Sequence, residues 1–174
     1  MNQSDWMTKI EQLAEDVCRR EGCFLYDAEF IGAGKGRVLR VFIDKDNGGA
    51  GIDDCSNVSK GLNLLLDVED VIPGGMYNLE VSTPGIDRPL KKSWHFDKVI
   101  GKKIWIKTAE ALESLGVTVE RMKKAKQFEQ VLKGIENGVL IFDVGDGDIH
   151  IPLTAVEKSK VVFEFEKPKS KKRG

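Results

Sequence analysis

Ser82-Thr83-Pro84-Gly85-Ile86-Asp87-Arg88-Pro89-Leu90 divides this chain into two parts that read differently. Pro84 presets φ at the second position of a turn, and Gly85 supplies the positive φ that a type II turn needs at its third. Pro89 fixes another φ directly after Asp87-Arg88. The stretch is therefore a stiff connector that presents one basic side chain. The domain boundary is expected here, with an N-terminal domain over 1–88, a C-terminal domain over 89–167 and a disordered basic tail over 168–174.

Upstream, Trp6, Ile10, Leu13 and Val17 recur at helical spacing. Ser4 or Asp5 can cap that helix, and Gly22 can end it. Phe24, Tyr26, Ala28 and Phe30 alternate with Leu25, Asp27 and Glu29, a strand with one wet face. Gly32 to Gly36 breaks it, and Val38 to Ile43 returns as the second arm of a hairpin. A second helix follows from about Asp53, capped by Asp53 or Asp54, with Cys55, Val58, Leu62, Leu65 and Leu66 on one stripe. Pro73-Gly74-Gly75 stops it, and Tyr77, Leu79 and Val81 mark a third strand. The order α-β-β-α-β predicts two helices on one face of a small sheet.

Downstream the pattern is all strand. Ile104 to Ile106, Phe128 to Ile135, Val139 to Phe142, Ile149 to Ile151 and Val161 to Phe163 are five short runs. Asn137-Gly138 is a strong hairpin turn, and Gly145-Asp146-Gly147 turns again. Leu153 to Val156 fits one helical turn. Such a series predicts a small barrel, and the whole chain is of α+β class. Residues 108–126 are long for a barrel loop, and 109–115 are expected to be helical.

The chain has 174 residues, 41% of them hydrophobic and 32% charged. That excludes disorder over the whole length. The net charge of −1 hides an asymmetry: residues 1–90 hold 9 Lys+Arg against 16 Asp+Glu, and residues 91–174 hold 18 against 12. A net of −7 against +6 suggests two units with different partners, a basic protein for the first and phosphate for the second. No apolar run nears the ~20 residues of a membrane span. The polar start is no secretory signal, and three cysteines without a stapling pattern point to free thiols in the cytoplasm.

Motifs for chemistry are missing. Asp44 to Gly49 superficially resembles a calcium loop, but its fifth position lacks an oxygen side chain and its twelfth is Cys55. The Gly34-Lys35 pair opens into a strand, whereas a phosphate loop opens into a helix. Cys18, Cys23 and Cys55 lack zinc spacing, and neither His95 nor His150 is placed to activate them. No catalytic residue, metal ligand, cofactor or small-molecule substrate is expected. The features left are the connector, with Arg88 displayed for phosphate or carboxylate, and the basic stretch Lys91-Lys92-Ser93-Trp94-His95-Phe96 with Lys102 and Lys103 beyond it. From composition alone that stretch reads more readily as a short helix whose aromatics pack inward and whose lysines are solvated than as an RNA surface.

Leu79-Glu80-Val81-Ser82-Thr83-Pro84-Gly85-Ile86-Asp87-Arg88-Pro89-Leu90 resembles the signature of the RimP family of bacterial ribosome maturation factors. Leu39 to Asp44, Gly51 to Cys55, Val58-Ser59 and Leu66-Asp67 support the resemblance, which runs from Val17 to Phe163. Thr83 stands where that signature most often has Ser, and 108–126 is longer than its pattern. The resemblance implies an N-terminal α/β domain and a C-terminal SH3-like (Sm-like) barrel. It further implies a cytoplasmic, non-enzymatic factor that binds the free small (30S) ribosomal subunit and assists its late assembly and 16S rRNA processing. On that basis Asp87, Arg88, Lys91, Lys92, Lys102 and Lys103 are the expected contacts to rRNA or to a basic ribosomal protein near the decoding region. Pro84, Gly85 and Pro89 are expected to fix the connector, and the chain is expected to be a monomer. An Sm-like binder of single-stranded RNA and an enzyme acting on rRNA are the alternatives. An aromatic-poor barrel surface argues against the first, and the missing motifs argue against the second.

Overall fold

A computed structural model describes residues 2–164; the basic tail expected over 168–174 lies outside the described residues. The chain forms two compact units, one ending at Pro84 and the other starting at Gly85. The first runs α1 (Gln3–Arg20), β1 (Phe24–Ile31), β2 (Val38–Asp44), α2 (Ile52–Glu69) and β3 (Asn78–Ser82). Its sheet has the order β1-β2-β3, with β1 antiparallel and β3 parallel to β2.

Leu39, Val41 and Ile43 alternate along β2 and are fully buried. The stripes of both helices, Trp6, Ile10, Leu13 and Val17 with Val58, Leu62 and Leu66, join them in one core. A sheet buries one set of alternate side chains, so both helices lie on that face, as the periodicity predicts. The helices approach closely at Gly61, where an added Cβ would stand 3.0 Å from Val17 Cγ1.

Local details differ from expectation. Asn2 precedes α1 as its cap, and Asp5 reaches back to accept from the Asn2 N–H at 3.2 Å. Gly51 takes that place at α2, with Asp54 Oδ2 accepting from its N–H at 2.9 Å. In each case the Asp at the third helical position accepts from the N–H of the residue that starts the helix, which is one arm of a capping box. The wet face of β1 is also dry at its start. A bulge between Leu25 and Asp27 breaks the alternation, so Leu25, Tyr26, Asp27 and Ala28 are all buried.

The second unit holds a short helix, α3 (Ser93–Asp97), and strands β4 (Lys103–Thr108), β5 (Gln127–Glu136), β6 (Val139–Asp143), β7 (Asp148–Pro152) and β8 (Val156–Val161). These make one antiparallel sheet in the order β7-β6-β5-β4-β8. β5 pairs with β4 through its first half and with β6 through its second, and a bulge between Leu132 and Gly134 bends it. The result is the curl of a small barrel, and no pairing between β7 and β8 closes it among the described residues. Phe96, Ile104, Ile106, Leu132, Leu140, Phe142 and Ile151 fill its interior.

The last strand lies five residues earlier than the apolar run Val161 to Phe163 suggests. A half-buried strand shows alternation rather than a solid run. Here Ser159 and Val161 point inward while Lys158 and Lys160 point out. The long stretch before β5 holds a single 3-10 turn at Leu112–Leu115. It folds back on itself through Leu112 N–H to Ala125 O at 3.0 Å and Glu113 N–H to Lys123 O at 2.9 Å. Buried Leu112 and Val117 pin it to the core.

Candidate functional site

From Gly85 onward the connector is built into the second unit. Gly85 has φ +83°, the value its turn demands. Beyond the turn the backbone runs beside β8 as an added strand. Leu90 N–H donates to Ser159 O at 2.9 Å, Val161 N–H donates to Arg88 O at 3.0 Å, and Pro89 bridges to Lys160. The buried Ser159 hydroxyl donates to Leu90 O at 2.5 Å. At the end of this strand His95 is buried, and its Nδ1 accepts from the N–H groups of both Lys91 and Lys92, at 3.0 and 3.1 Å. An Nδ1 that accepts two hydrogen bonds holds no proton, so the ring is the neutral Nε2–H tautomer.

This arrangement sorts the expected contact residues. Arg88 is half-buried, and its Nε donates to Gly85 O at 3.1 Å, so the guanidinium stiffens the turn it was expected only to decorate. Lys92 is half-buried at the start of α3, while Lys102 is exposed just before β4. Lys103 Nζ lies 2.6 Å from Glu164, and that hydrogen bond raises its pKa above the usual lysine value. Asp87 and Lys91 instead meet in a groove of about 470 Å³ on the outer face of the sheet, with Pro89 between them.

Residues outside the expected set complete that groove. Ile104 and Ile106 point inward from β4, so Trp105 between them points outward. It pairs across the sheet with Lys160, whose Nζ stands 5.9 Å from the indole centroid. Leu153 and Val156 continue the apolar floor, and Lys158 adds a third ammonium group to the rim. A second lobe of about 420 Å³ contains Ile86 and Phe163 and shares Asp87 and Lys160 with the first. The period-two alternation around Trp105 and Lys160 was the signal in the sequence. The misplaced final strand hid it. The surface is thus less poor in aromatics than the sequence suggests.

The charge asymmetry is also more local than it looks. Residues 91–164 hold 13 Lys+Arg against 11 Asp+Glu, so most of the positive excess lies in 165–174, with 5 against 1.

The three thiols belong to the first unit. Burial pushes Cys18 up to about 12, with Cys23 nearby as the next cause, and burial also raises Cys23 and Cys55. Such thiols stay protonated at neutral pH and are poor nucleophiles. Among the described residues no cluster of His, Cys, Asp and Glu could hold a metal ion, and no helix is long and apolar enough to cross a membrane. Residues 13–87 match the family model described as the RimP N-terminal domain, the same family that the Leu79–Leu90 stretch resembles.

Proposed function

We propose that this chain, a member of the RimP family of ribosome maturation factors, binds the free 30S subunit and assists its late assembly and the maturation of 16S rRNA without catalysing a reaction. The match over residues 13–87 carries this reading, and the connector sequence extends it past that match into the second unit. The net charge of −7 over residues 1–90 suits a basic ribosomal protein near the decoding region. The lysines and aromatics of the second unit suit rRNA. Asp87, Arg88, Lys91, Lys92, Lys102 and Lys103 are the proposed contacts, positioned by Pro84, Gly85 and Pro89. The protein works in the cytoplasm as a monomer, with no cofactor and no small-molecule substrate. Protonated thiols and a histidine already committed to two backbone donors favour binding over covalent chemistry.

Sedimentation of cell extract tests this. The protein should travel with free small subunits and be absent from assembled ribosomes, and cells lacking it should accumulate precursor 16S rRNA. Recovery in neither ribosomal fraction overturns the proposal. Turnover of precursor rRNA by the purified protein overturns its non-catalytic part.

A further inference from the structure

The outer groove of the second unit has a composition that assembly-factor membership does not explain. Trp105, half-buried, shares the first lobe with Lys160, and Phe163, 46% exposed, shares the second with the same lysine. Aromatic rings in two adjoining lobes with a lysine common to both, and Lys91 and Lys158 on the rim of the first, suit a nucleic acid strand, in which bases alternate with phosphates.

We propose that this groove binds a short single-stranded RNA segment, one base stacking on Trp105 and a neighbouring base on Phe163, with Lys158 and Lys160 meeting the backbone phosphates. The inference deepens the proposed function and rests on it for the source of the RNA, an unpaired stretch of the immature rRNA. A double helix keeps its base faces stacked inside, so only unpaired bases can reach the rings. An extended peptide is the poorer fit. Strand addition needs an open sheet edge, and β8 is already paired with β4 on one side and with Pro89–Leu90 on the other. The carboxylates of the groove are consistent with this polarity. Glu157 is held by Lys107 Nζ at 3.0 Å. Asp87 and Glu129 border the second lobe, where they repel phosphate and can accept from the amino edge of a base.

The test is fluorescence anisotropy of an end-labelled oligouridylate with the full chain, read over a range of KCl concentrations. Trp105→Ala and Phe163→Ala should each weaken binding about 5- to 150-fold, the range expected for one lost stacking contact. Trp105→Phe should keep most of the affinity. Lys158→Glu with Lys160→Glu should weaken binding and flatten its salt dependence. Melting curves check each fold. If Trp105→Ala unfolds, the exposed Phe163 and lysine positions decide. Unchanged affinity in the alanine variants, equally tight binding of duplex RNA, or Trp105-dependent capture of an extended peptide in place of RNA overturns the inference. Sedimentation of the same proteins separates it from the reading beneath it. Failure on the oligonucleotide, with the wild type still on small subunits, removes the groove alone. Oligonucleotide binding without subunit binding removes the assembly role and leaves the groove.

Discussion

The two units hold their irregular segments by different means. In the first, apart from buried Asp44, which accepts from the Lys45 N–H at 2.9 Å, the loops are closed by backbone and by charge at the surface. Asp5 and Asp54 accept from the residues that start the helices, Lys45 Nζ meets Asp54 at 3.0 Å, and Arg37 donates to Pro73 O at 2.6 Å. In the second, buried polar side chains fasten the loops to the sheet. His95 holds Lys91 and Lys92, and Ser159 holds Leu90. Buried Thr108 clamps both ends of the 109–126 loop: its hydroxyl lies 2.6 Å from Glu110 O, and its N–H donates to Lys126 O at 2.8 Å. Surface bonds compete with water and contribute little each, whereas a buried donor or acceptor left alone costs its full desolvation. The first unit should therefore tolerate loss of these surface ties, its buried Asp27 and Asp44 apart, and the second should not tolerate loss of its buried ones.

The sharpest separation comes from the cores. Phe142 is fully buried and meets Phe128 edge-on at 5.1 Å. Phe142→Ala should cost the second unit about 3–5 kcal/mol. Hydrogen exchange should show faster opening from β4 to β8 and unchanged protection in α1 and α2. Equal loss in both units would show that the two cores unfold together. Next in size, His95→Ala strands two backbone donors and should destabilise the second unit by about 2 kcal/mol or more in chemical denaturation. In the first unit, Arg37→Ala or Lys45→Ala should cost under about 1 kcal/mol. A reversed order would break the contrast.

Titration sharpens it further, because the shifted thiols and the shifted carboxylate belong to the first unit. Cys18 is raised from 9.0 to about 12 in the folded chain. The unfolded chain loses that proton first, so the stabilisation is complete below pH 9.0 and fades as pH climbs toward 12. Cys18→Ala should flatten this alkaline decline in a pH series of urea melts. Asp54 shows the opposite sign. The Gly51 N–H and then Lys45 hold its carboxyl below 3.8, so its contribution is present above that value and is lost as the pH falls beneath it. Asp54→Asn should lessen the acid sensitivity of exchange at the start of α2. The smallest effect is a rate order: alkylation near neutral pH should reach half-exposed Cys55 before Cys23, and Cys18 only on unfolding.

The fold was largely legible because periodicity reports burial. The stripe Trp6 to Val17, the alternation Leu39-Val41-Ile43 and the Asn137-Gly138 turn, with φ +49° and +74°, each encode their own local structure. The site was legible only in part. Asp87 and Pro89 are read from the connector and Lys91 from the basic stretch that follows it, but Trp105, Lys158 and Lys160 share no short motif with either. They come together because β4 and β8 pair in one register, and the sequence carries no local mark of that register.

By itself the amino-acid order determined most of the elements, the last strand and the 109–115 turn excepted, along with the two-part division, the family resemblance and the lack of catalytic motifs, since all of these depend on neighbours within a turn or two of chain. Tertiary structure alone decided that Arg88–Leu90 runs as a strand beside β8, that His95 is a structural acceptor, and that Trp105, Lys160 and Phe163 line one groove. His95 takes its donors from Lys91 and Lys92 nearby and owes its burial to the core around it, whereas the strand beside β8 and the meeting of Trp105 with Lys160 depend on hydrogen bonds and alternation across the sheet between residues some 55–70 positions apart in sequence. There, strand pairing rather than chain proximity sets which side chains meet.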